Sequence, residues 1–494
     1  MLTGVRQREG LRVVPRRVLH VRPGAQAAET ATLREGIAEI QRELDVSPAF
    51  PAEVEEAAAT AAENPRLPEL DRTDIPFVTI DPATSLDLDQ ALHIGRDGDG
   101  YVVHYAIADV AAFVTPGDPV DLEAHRRGET LYGADSRIPL HPTVLSEGAA
   151  SLLPDQVRPA LLWTIKVDET GEGTDVVVER ARVRSRAKLD YASVQQQVDD
   201  GTADEVLTLL KEVGELRKHR EAARGGVSLP LPEQEITVAA DGWALEFRSM
   251  LPAEEWNAQI SLLTGMGAAS LMVYARVGLL RTLPPPDHRD VQRLHRTAKA
   301  LGIEWPAEEI PSDFVRSLDP RKPEHAAMVL ACTRLLRGAG YVAFDGEVPA
   351  DPEHAGLASE YAHVTAPLRR LGDRYAGEVC LALCAEEEVP AWVGERLHDL
   401  PKTLQESDHR AHEYESAILD LVEATVLRDR VGSTFPGVVV AVDDADPKAG
   451  HIVVREPAIE ARVTSDRDLP LGAEVRATLA SADVAARRVR FTLP

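Results

Sequence analysis

The stretch DIPFVTIDPATSLDLDQAL, residues 74–92, joins a short apolar strand pattern to three closely spaced aspartates, Asp81, Asp87 and Asp89. Asp81 follows the apolar run directly, and Asp87 and Asp89 are two positions apart, so both point the same way if that piece is extended. Carboxylates held close together raise one another's pKa, and a hard divalent cation relieves this cost. The pattern therefore predicts a Mg²⁺ site, with an acidic loop of Asx turns as the ordinary alternative.

The bulk composition limits the classes of protein to which this chain can belong. Its 494 residues suffice for two to four domains, and 44% hydrophobic with 27% charged residues describes a globular protein. The net charge of -27 argues against indiscriminate binding of polyanions, although it is compatible with a local basic groove. Because no apolar run resembles a signal peptide or a membrane span, the sequence predicts a cytoplasmic protein without membrane contact. No pattern indicates a small-molecule cofactor.

Composition and periodicity change twice along the chain. Residues 1–70 predict a basic N-terminal arm followed by a short helical region, since six arginines fall within residues 1–25. Residues 71–432 alternate strand patterns with long helical patterns, which indicates an α+β body with a mixed sheet. Residues 433–494 return to five short strands, the pattern of a small OB-fold barrel.

The aspartate stretch and two later blocks resemble one known family. The first block resembles the order T-I-D, five residues, then D-x-D-D-A of the RNB catalytic domain in the ribonuclease II and ribonuclease R family, with Gln90 in place of the last aspartate. The second block is YAIADVAAFVTPGDPVDLEAHRRGETLYGADSRIPLHPTVLSEGAASLLPDQVRPAL at 105–161, and the third is YAHVTAPLRRLGDRYAGEV at 361–379. The resemblance covers about residues 72–430, and it implies the RNB fold followed by an OB-type RNA-binding barrel.

The chain departs from the family pattern at several places. Gln90 stands where the fourth family aspartate is expected. Ala258 and Gln259 align with two acidic residues of a family helix, so no role is assigned to them. Residues 1–70 have neither the length nor the strand pattern of the two small barrels with which family members usually begin. Glu415, in the last long helical pattern, is expected on a solvated face.

The resemblance also implies the residues of a phosphodiesterase site. A guanidinium suits phosphoryl charge, and an aromatic ring suits stacking on any base. The expected metal ligands are Asp81, Asp87, Asp89 and Gln90, the last through its neutral amide oxygen. The expected catalytic residues are Asp89, Arg369 and Arg370. The expected substrate-binding residues are Tyr132, which would stack on the terminal nucleotides, and Arg137, which would contact phosphate.

The resemblance implies a 3′→5′ exoribonuclease that degrades single-stranded RNA to nucleoside 5′-monophosphates by Mg²⁺-dependent hydrolysis, with Mn²⁺ able to substitute. The alternative is a catalytically weak or inactive RNA-binding protein of the same fold, which Gln90 favours. A small-molecule phosphohydrolase would not need the C-terminal barrel, where Arg487, Arg488 and Arg490 fall on the last strand pattern. The sequence leaves the oligomeric state open.

Overall fold

The computed structural model describes residues 19–22, 29–134, 137–231, 233–239 and 242–494, so most of the predicted basic arm lies outside the described residues. Two helices follow the arm, as predicted. Within the described ranges the helices are α1 (Glu29–Glu43), α2 (Ala52–Glu63), α3 (Pro119–Arg127), α4 (Tyr191–Asp199), α5 (Glu205–Arg224), α6 (Pro252–Ala275), α7 (His288–Ala300), α8 (Pro311–Ser317), α9 (Pro323–Cys332), α10 (Leu371–Cys384), α11 (Ala391–Leu397) and α12 (Leu400–Leu427).

The strands form two closed barrels and several small sheets. In chain order they are β1 (Leu19–Arg22), β2 (Phe77–Ile80), β3 (Gln90–Asp97), β4 (Gly100–Ala108), β5 (Leu131–Tyr132), β6 (Arg137–Ile138), β7 (Val157–Val167), β8 (Gly173–Leu189), β9 (Glu233–Ala239), β10 (Gly242–Arg248), β11 (Val277–Thr282), β12 (Gly340–Asp345), β13 (Glu353–His354), β14 (Ser359–Glu360), β15 (Thr434–Val442), β16 (Ala449–Val454), β17 (Ile459–Ser465), β18 (Glu474–Asp483) and β19 (Arg488–Leu493).

The first barrel has the strand order β2-β3-β4-β7-β8 and carries the predicted aspartates at one of its ends. β2 runs parallel to β8, whereas the other neighbours are antiparallel, so the predicted mixed sheet is confirmed and is closed on itself. Gly98, at φ 60°, makes the tight turn between β3 and β4, a conformation that glycine adopts without steric cost. Tyr105 and Trp163, paired across β4 and β7, are fully buried in the core of this half of the molecule.

Long helices cover the first barrel, and α6 lies in the middle of this layer. By length and hydropathy α6 could cross a membrane. In this fold it packs against α5, α10 and β8, and buries Trp256, Ile260 and Met272. Its apolar composition is therefore explained by the contacts of a core helix.

The second barrel has the strand order β15-β16-β17-β19-β18, which confirms the predicted five-stranded C-terminal barrel. Its interior is filled by alternating apolar side chains. Phe435 and Phe491 meet there edge to face, with ring centroids 5.7 Å apart. Such aromatic contacts fix the packing of a small barrel interior.

Helix α1 shares one hydrophobic core with α12, the β5–β6 hairpin and the second barrel. Leu33, Ile37 and Ile40 form its buried stripe, at the spacing of one helix face. Gly36 allows close contact with α12, because a Cβ atom there would lie 2.8 Å from a Leu421 methyl group. Helix α1 thus stabilises both the β5–β6 hairpin and the second barrel through this shared core.

Replacing Ile40 with alanine is expected to lower the free energy of unfolding by about 2–5 kcal/mol, because Ile40 is fully buried in this shared core. Urea denaturation followed by circular dichroism measures the change. Glu39→Ala, at an exposed position of the same helix, is the matched control and should change stability by less than about 0.5 kcal/mol. Equal effects of the two substitutions would mean that α1 adds little to the shared core.

Candidate active site

The aspartate loop, residues 81–89, connects β2 to β3 at one end of the first barrel. Lys188, near the end of β8, holds the loop through two backbone carbonyl oxygens. Its Nζ donates to the carbonyl oxygens of Ala83 at 2.7 Å and of Ser85 at 2.5 Å. A loop with three carboxylates therefore folds around a lysine that neutralises part of its charge.

Asp89 and Arg369 form the central charged pair of the site. The Asp89 side chain is 5% exposed, and its Oδ2 lies 3.3 Å from Nε of Arg369. Its Oδ1 accepts a hydrogen bond from the Leu368 N–H at 2.8 Å. The Arg369 side chain is 43% exposed, so its guanidinium meets solvent while one edge contacts the carboxylate. This arrangement leaves N–H groups available to a bound anion.

Arg370, the neighbouring expected catalytic residue, is bound to Asp373. Its Nε donates to Asp373 Oδ1 at 3.0 Å, and Nη2 donates to Oδ2 at 2.8 Å. The Asp373 side chain is fully buried, and its Oδ2 also accepts the Ala366 N–H at 2.7 Å. The structure thus gives Arg370 a role in shaping the segment before α10, while its catalytic role stays a prediction.

Tyr132 and Arg137, the expected substrate-binding residues, are paired across the β5–β6 hairpin. The Tyr132 hydroxyl interacts electrostatically with the Arg369 guanidinium, which places the ring beside the charged pair. Arg137 contacts two carboxylates, Asp87 at 2.6 Å and Glu147 at 2.7 Å. The hairpin is therefore tied to the aspartate loop, and phosphate binding by Arg137 stays a prediction.

The Gln90 side chain, at the start of β3, is hydrogen-bonded at both ends of its amide. Nε2 donates to the Thr365 carbonyl oxygen at 2.6 Å, and Oε1 accepts from the Tyr105 hydroxyl at 2.6 Å. A carbonyl oxygen only accepts, so the amide nitrogen must face Thr365 and the assignment of the two ends is fixed. Gln90 lies next to the site, and its expected role as a metal ligand stays a prediction.

Two properties of the aspartates fit a divalent cation. Oδ2 of Asp81 is buried and accepts no hydrogen bond. Burial raises the pKa of Asp81 to about 6 and of Asp89 to about 8; Arg369 opposes the rise and the charge of Asp87 adds to it. A bound cation would favour the ionised carboxylates. In the described part of the chain no three Asp, Glu, His or Cys side chains form a ready-made metal centre. Mg²⁺, however, commonly takes only one or two carboxylates, together with water and phosphate.

The sequence of the whole region matches a known domain family. The RNB domain matches residues 70–383, well over half of the chain. The chain belongs to the RNB family. A second family, the RNase II-type exonuclease C-terminal S1 domain, matches residues 433–493, which form the second barrel. The described residues ahead of the RNB match contain β1, α1 and α2 and no barrel of their own.

Named relatives of this RNB chain include nucleases and one pseudonuclease. Ribonuclease R of Escherichia coli (strain K12) is 29% identical over 399 residues, which are 76% of this chain and 48% of the relative. The chain therefore spans about half the length of that relative. "Mycoplasma genitalium RNase R in complex with ribose methylated single-stranded RNA" has a TM-score of 0.83 at 20% identity, over 94% of this chain and 78% of that one. Yeast Ssd1, a pseudonuclease, has a TM-score of 0.69 at 15% identity, over 92% and 57%.

Several contacts of the RNB site were not predicted from the sequence. Asp373 had a local signal, because it follows Arg370 by three residues within the same motif. Glu147 and Lys188 had no such signal, because each reaches the site only through the fold.

Gln259, to which the sequence assigned no role, donates from Nε2 to Glu221 at 2.6 Å in a buried pair. The expectation of a solvated face for Glu415 is wrong, because this residue is 4% exposed.

Proposed function

We propose that this RNB-family chain is a 3′→5′ exoribonuclease that hydrolyses single-stranded RNA to nucleoside 5′-monophosphates with Mg²⁺. The pair of Asp89 and the solvent-reaching Arg369, 3.3 Å apart, carries the proposal. It joins an oxygen ligand for a cation to a fixed positive charge for a phosphate. The names of the relatives support the same activity and substrate, since they include ribonuclease R and a complex with single-stranded RNA.

The side chains divide the work of phosphodiester hydrolysis. Asp81, Asp87 and Asp89 would hold Mg²⁺, which supplies Lewis-acid charge against the phosphoryl oxygens. Arg369 would bind non-bridging oxygens of the scissile phosphate through its planar N–H groups and strengthen this contact as charge develops. Tyr132 would stack on a terminal base, a contact that suits an enzyme acting on any sequence.

A second candidate function is RNA binding with weak or absent catalysis. Gln90 favours it, because the chain carries a neutral amide where the family pattern has an aspartate. The fold is also compatible with lost activity, since yeast Ssd1 is a pseudonuclease. In that case the Asp89–Arg369 pair would bind a phosphate without cleaving it.

A 5′-labelled single-stranded RNA, incubated with the protein and Mg²⁺, distinguishes the two functions. We expect stepwise shortening from the 3′ end, which EDTA stops, and no shortening of a DNA of the same sequence or of the RNA duplex. Thin-layer chromatography of a uniformly labelled RNA should reveal nucleoside 5′-monophosphates. Intact RNA together with measurable RNA binding would establish the second candidate and overturn the first.

The second barrel presents two arginines that are suited to RNA backbone contact. Arg488 and Arg490 are exposed on β19 and alternate with the buried Val489 and Phe491. Replacing both arginines with alanine is expected to weaken binding of a long single-stranded RNA by about 3–10-fold and to lower the salt slope by about 1–2. Fluorescence anisotropy at several salt concentrations measures both quantities.

The cleavage rate of a short RNA at saturating enzyme should stay unchanged in this double variant, because both arginines lie outside the RNB match. Arg321→Ala removes an arginine that is 90% exposed outside the barrel and serves as the control. An equal loss of affinity in the double variant and the control would assign no special role to β19.

A further inference from the structure

The segment of residues 365–369 carries Arg369 toward the aspartate loop, and three side chains hold it. Asp89 accepts the Leu368 N–H at 2.8 Å, and Asp373 accepts the Ala366 N–H at 2.7 Å. Gln90 provides the third contact by donating to the Thr365 carbonyl oxygen at 2.6 Å. Asp89, at the end of the aspartate loop, and Gln90, at the start of β3, thus hold two points of a segment 275 to 279 positions away along the chain.

Gln90 is itself held by a chain of hydrogen bonds that reaches into the helical layer. The Tyr105 hydroxyl donates to Gln90 Oε1 at 2.6 Å and lies 2.8 Å from Ser261 Oγ in α6. Because the phenol has one proton and directs it to Gln90, Ser261 is the donor in the second contact. Tyr105 is fully buried, whereas Gln90 and Ser261 are half-buried, so the middle of this chain is shielded from water. Hydrogen bonds in such surroundings restrict the side chains that they connect.

A carboxylate at position 90 could not make the same set of contacts. An ionised aspartate or glutamate only accepts hydrogen bonds, so it would face the Thr365 carbonyl oxygen without a donor. A side-chain amide can accept from Tyr105 and donate to Thr365 at the same time, whereas an ionised carboxylate cannot. The neutral residue at position 90 therefore matches its neighbours in this chain.

We propose that Gln90 is a positioning residue, which fixes the Arg369 segment through Thr365 and is in turn oriented by Tyr105, and that it is not a ligand of the cation. The cation site then depends on Asp81, Asp87 and Asp89 alone. Loss of Gln90 would displace Arg369 from the phosphate while leaving cation affinity intact. The inference rests on the proposed function only for its rate measurement; its other measurements need no catalysis.

Gln90→Leu tests the inference, because leucine fills similar space without a donor or an acceptor. Hydrogen–deuterium exchange of the peptide covering residues 361–370 should become faster, since the segment loses one of the side-chain hydrogen bonds that hold it. Mn²⁺ affinity, measured by electron paramagnetic resonance with the metal alone, should stay within about twofold. The single-turnover cleavage rate should fall by about 10–100-fold at saturating enzyme, with RNA affinity within about threefold.

Tyr105→Phe is a milder variant that removes only the hydroxyl, and it carries the test if Gln90→Leu does not fold. It should change exchange and cleavage in the same direction by a smaller factor. Tyr101→Phe is the matched control: it removes a hydroxyl from the same strand whose partner is Glu212, so exchange of residues 361–370 should not change.

Two results would overturn the inference. A fall of more than about fivefold in Mn²⁺ affinity of Gln90→Leu would make Gln90 a ligand, and unchanged exchange in both test variants would show that it does not hold the segment. If the parent protein does not cleave RNA, the proposed function fails, yet the exchange and Mn²⁺ measurements still decide the role of Gln90.

Discussion

Asparagine in place of Asp89 is expected to lower RNA cleavage by at least about 10³-fold while single-stranded RNA binds as well as before or more tightly. The new side chain can still accept the Leu368 N–H, but the group that faces Arg369 loses its negative charge. A cation loses an ionised ligand, whereas an incoming phosphate meets less repulsion. Single-turnover cleavage with Mg²⁺ and RNA affinity in EDTA measure the two effects separately.

Asp97→Asn is the matched control, because Asp97 is exposed at the far end of β3, the strand that begins directly after Asp89. Its cleavage rate should stay within about twofold of the parent. Cleavage by the Asp89 variant within threefold of the parent would remove Asp89 from the catalytic set. A parallel loss in both variants would indicate a general effect on β3.

Replacing Arg369 with alanine is expected to lower the turnover rate by about 10²–10³-fold with a much smaller loss of RNA affinity. The guanidinium contacts Asp89 and lies beside the Tyr132 hydroxyl, and its side chain stays partly exposed, so N–H groups remain available to a phosphate. A contact that strengthens in the transition state changes kcat more than ground-state binding. Rapid-quench cleavage at saturating enzyme measures the rate, and an anisotropy titration measures the RNA affinity.

Arg369→Lys should recover only part of the rate, because an ammonium cannot bind two phosphate oxygens through a planar fork. Arg96→Ala, at an exposed arginine paired with Glu212 on the first barrel, should leave both quantities unchanged. If RNA affinity collapses in Arg369→Ala while single-turnover cleavage at saturation is normal, Arg369 docks the substrate and takes no part in the chemistry.

The position of the aspartates at a strand end could be predicted from the sequence, because it depends only on residues that are neighbours along the chain. An apolar strand followed by Asp81, Asp87 and Asp89 defines a strand end and an acidic loop, and the structure has both. Arg369 lies far away along the chain, and only the family motif connected it with Asp89. The order of strand and helix patterns likewise sufficed for the α+β body and the C-terminal barrel.

The contacts that adjust the site could not be predicted, because they depend on side chains that meet only in the folded chain. Nothing near Gln90 in the sequence indicates that Tyr105 and Thr365 bind its amide. Arg137 is charged in any context, but its ion pair with Glu147 requires the packing of two separate segments. Glu415 looks solvated by helical periodicity alone, and it becomes buried because other elements cover α12.

The core that α1 shares with the second barrel sets an order of events during synthesis on the ribosome. The apolar stripe of α1 leaves the exit tunnel well before residues of the same core such as Leu421 of α12 and Phe491 of β19. The hairpin β3–β4, by contrast, can close as soon as it emerges, since its two strands are neighbours in sequence. The core around Leu33, Ile37 and Ile40 therefore stays incomplete until β19 has been synthesised, and until then this segment is open to chaperone capture or aggregation.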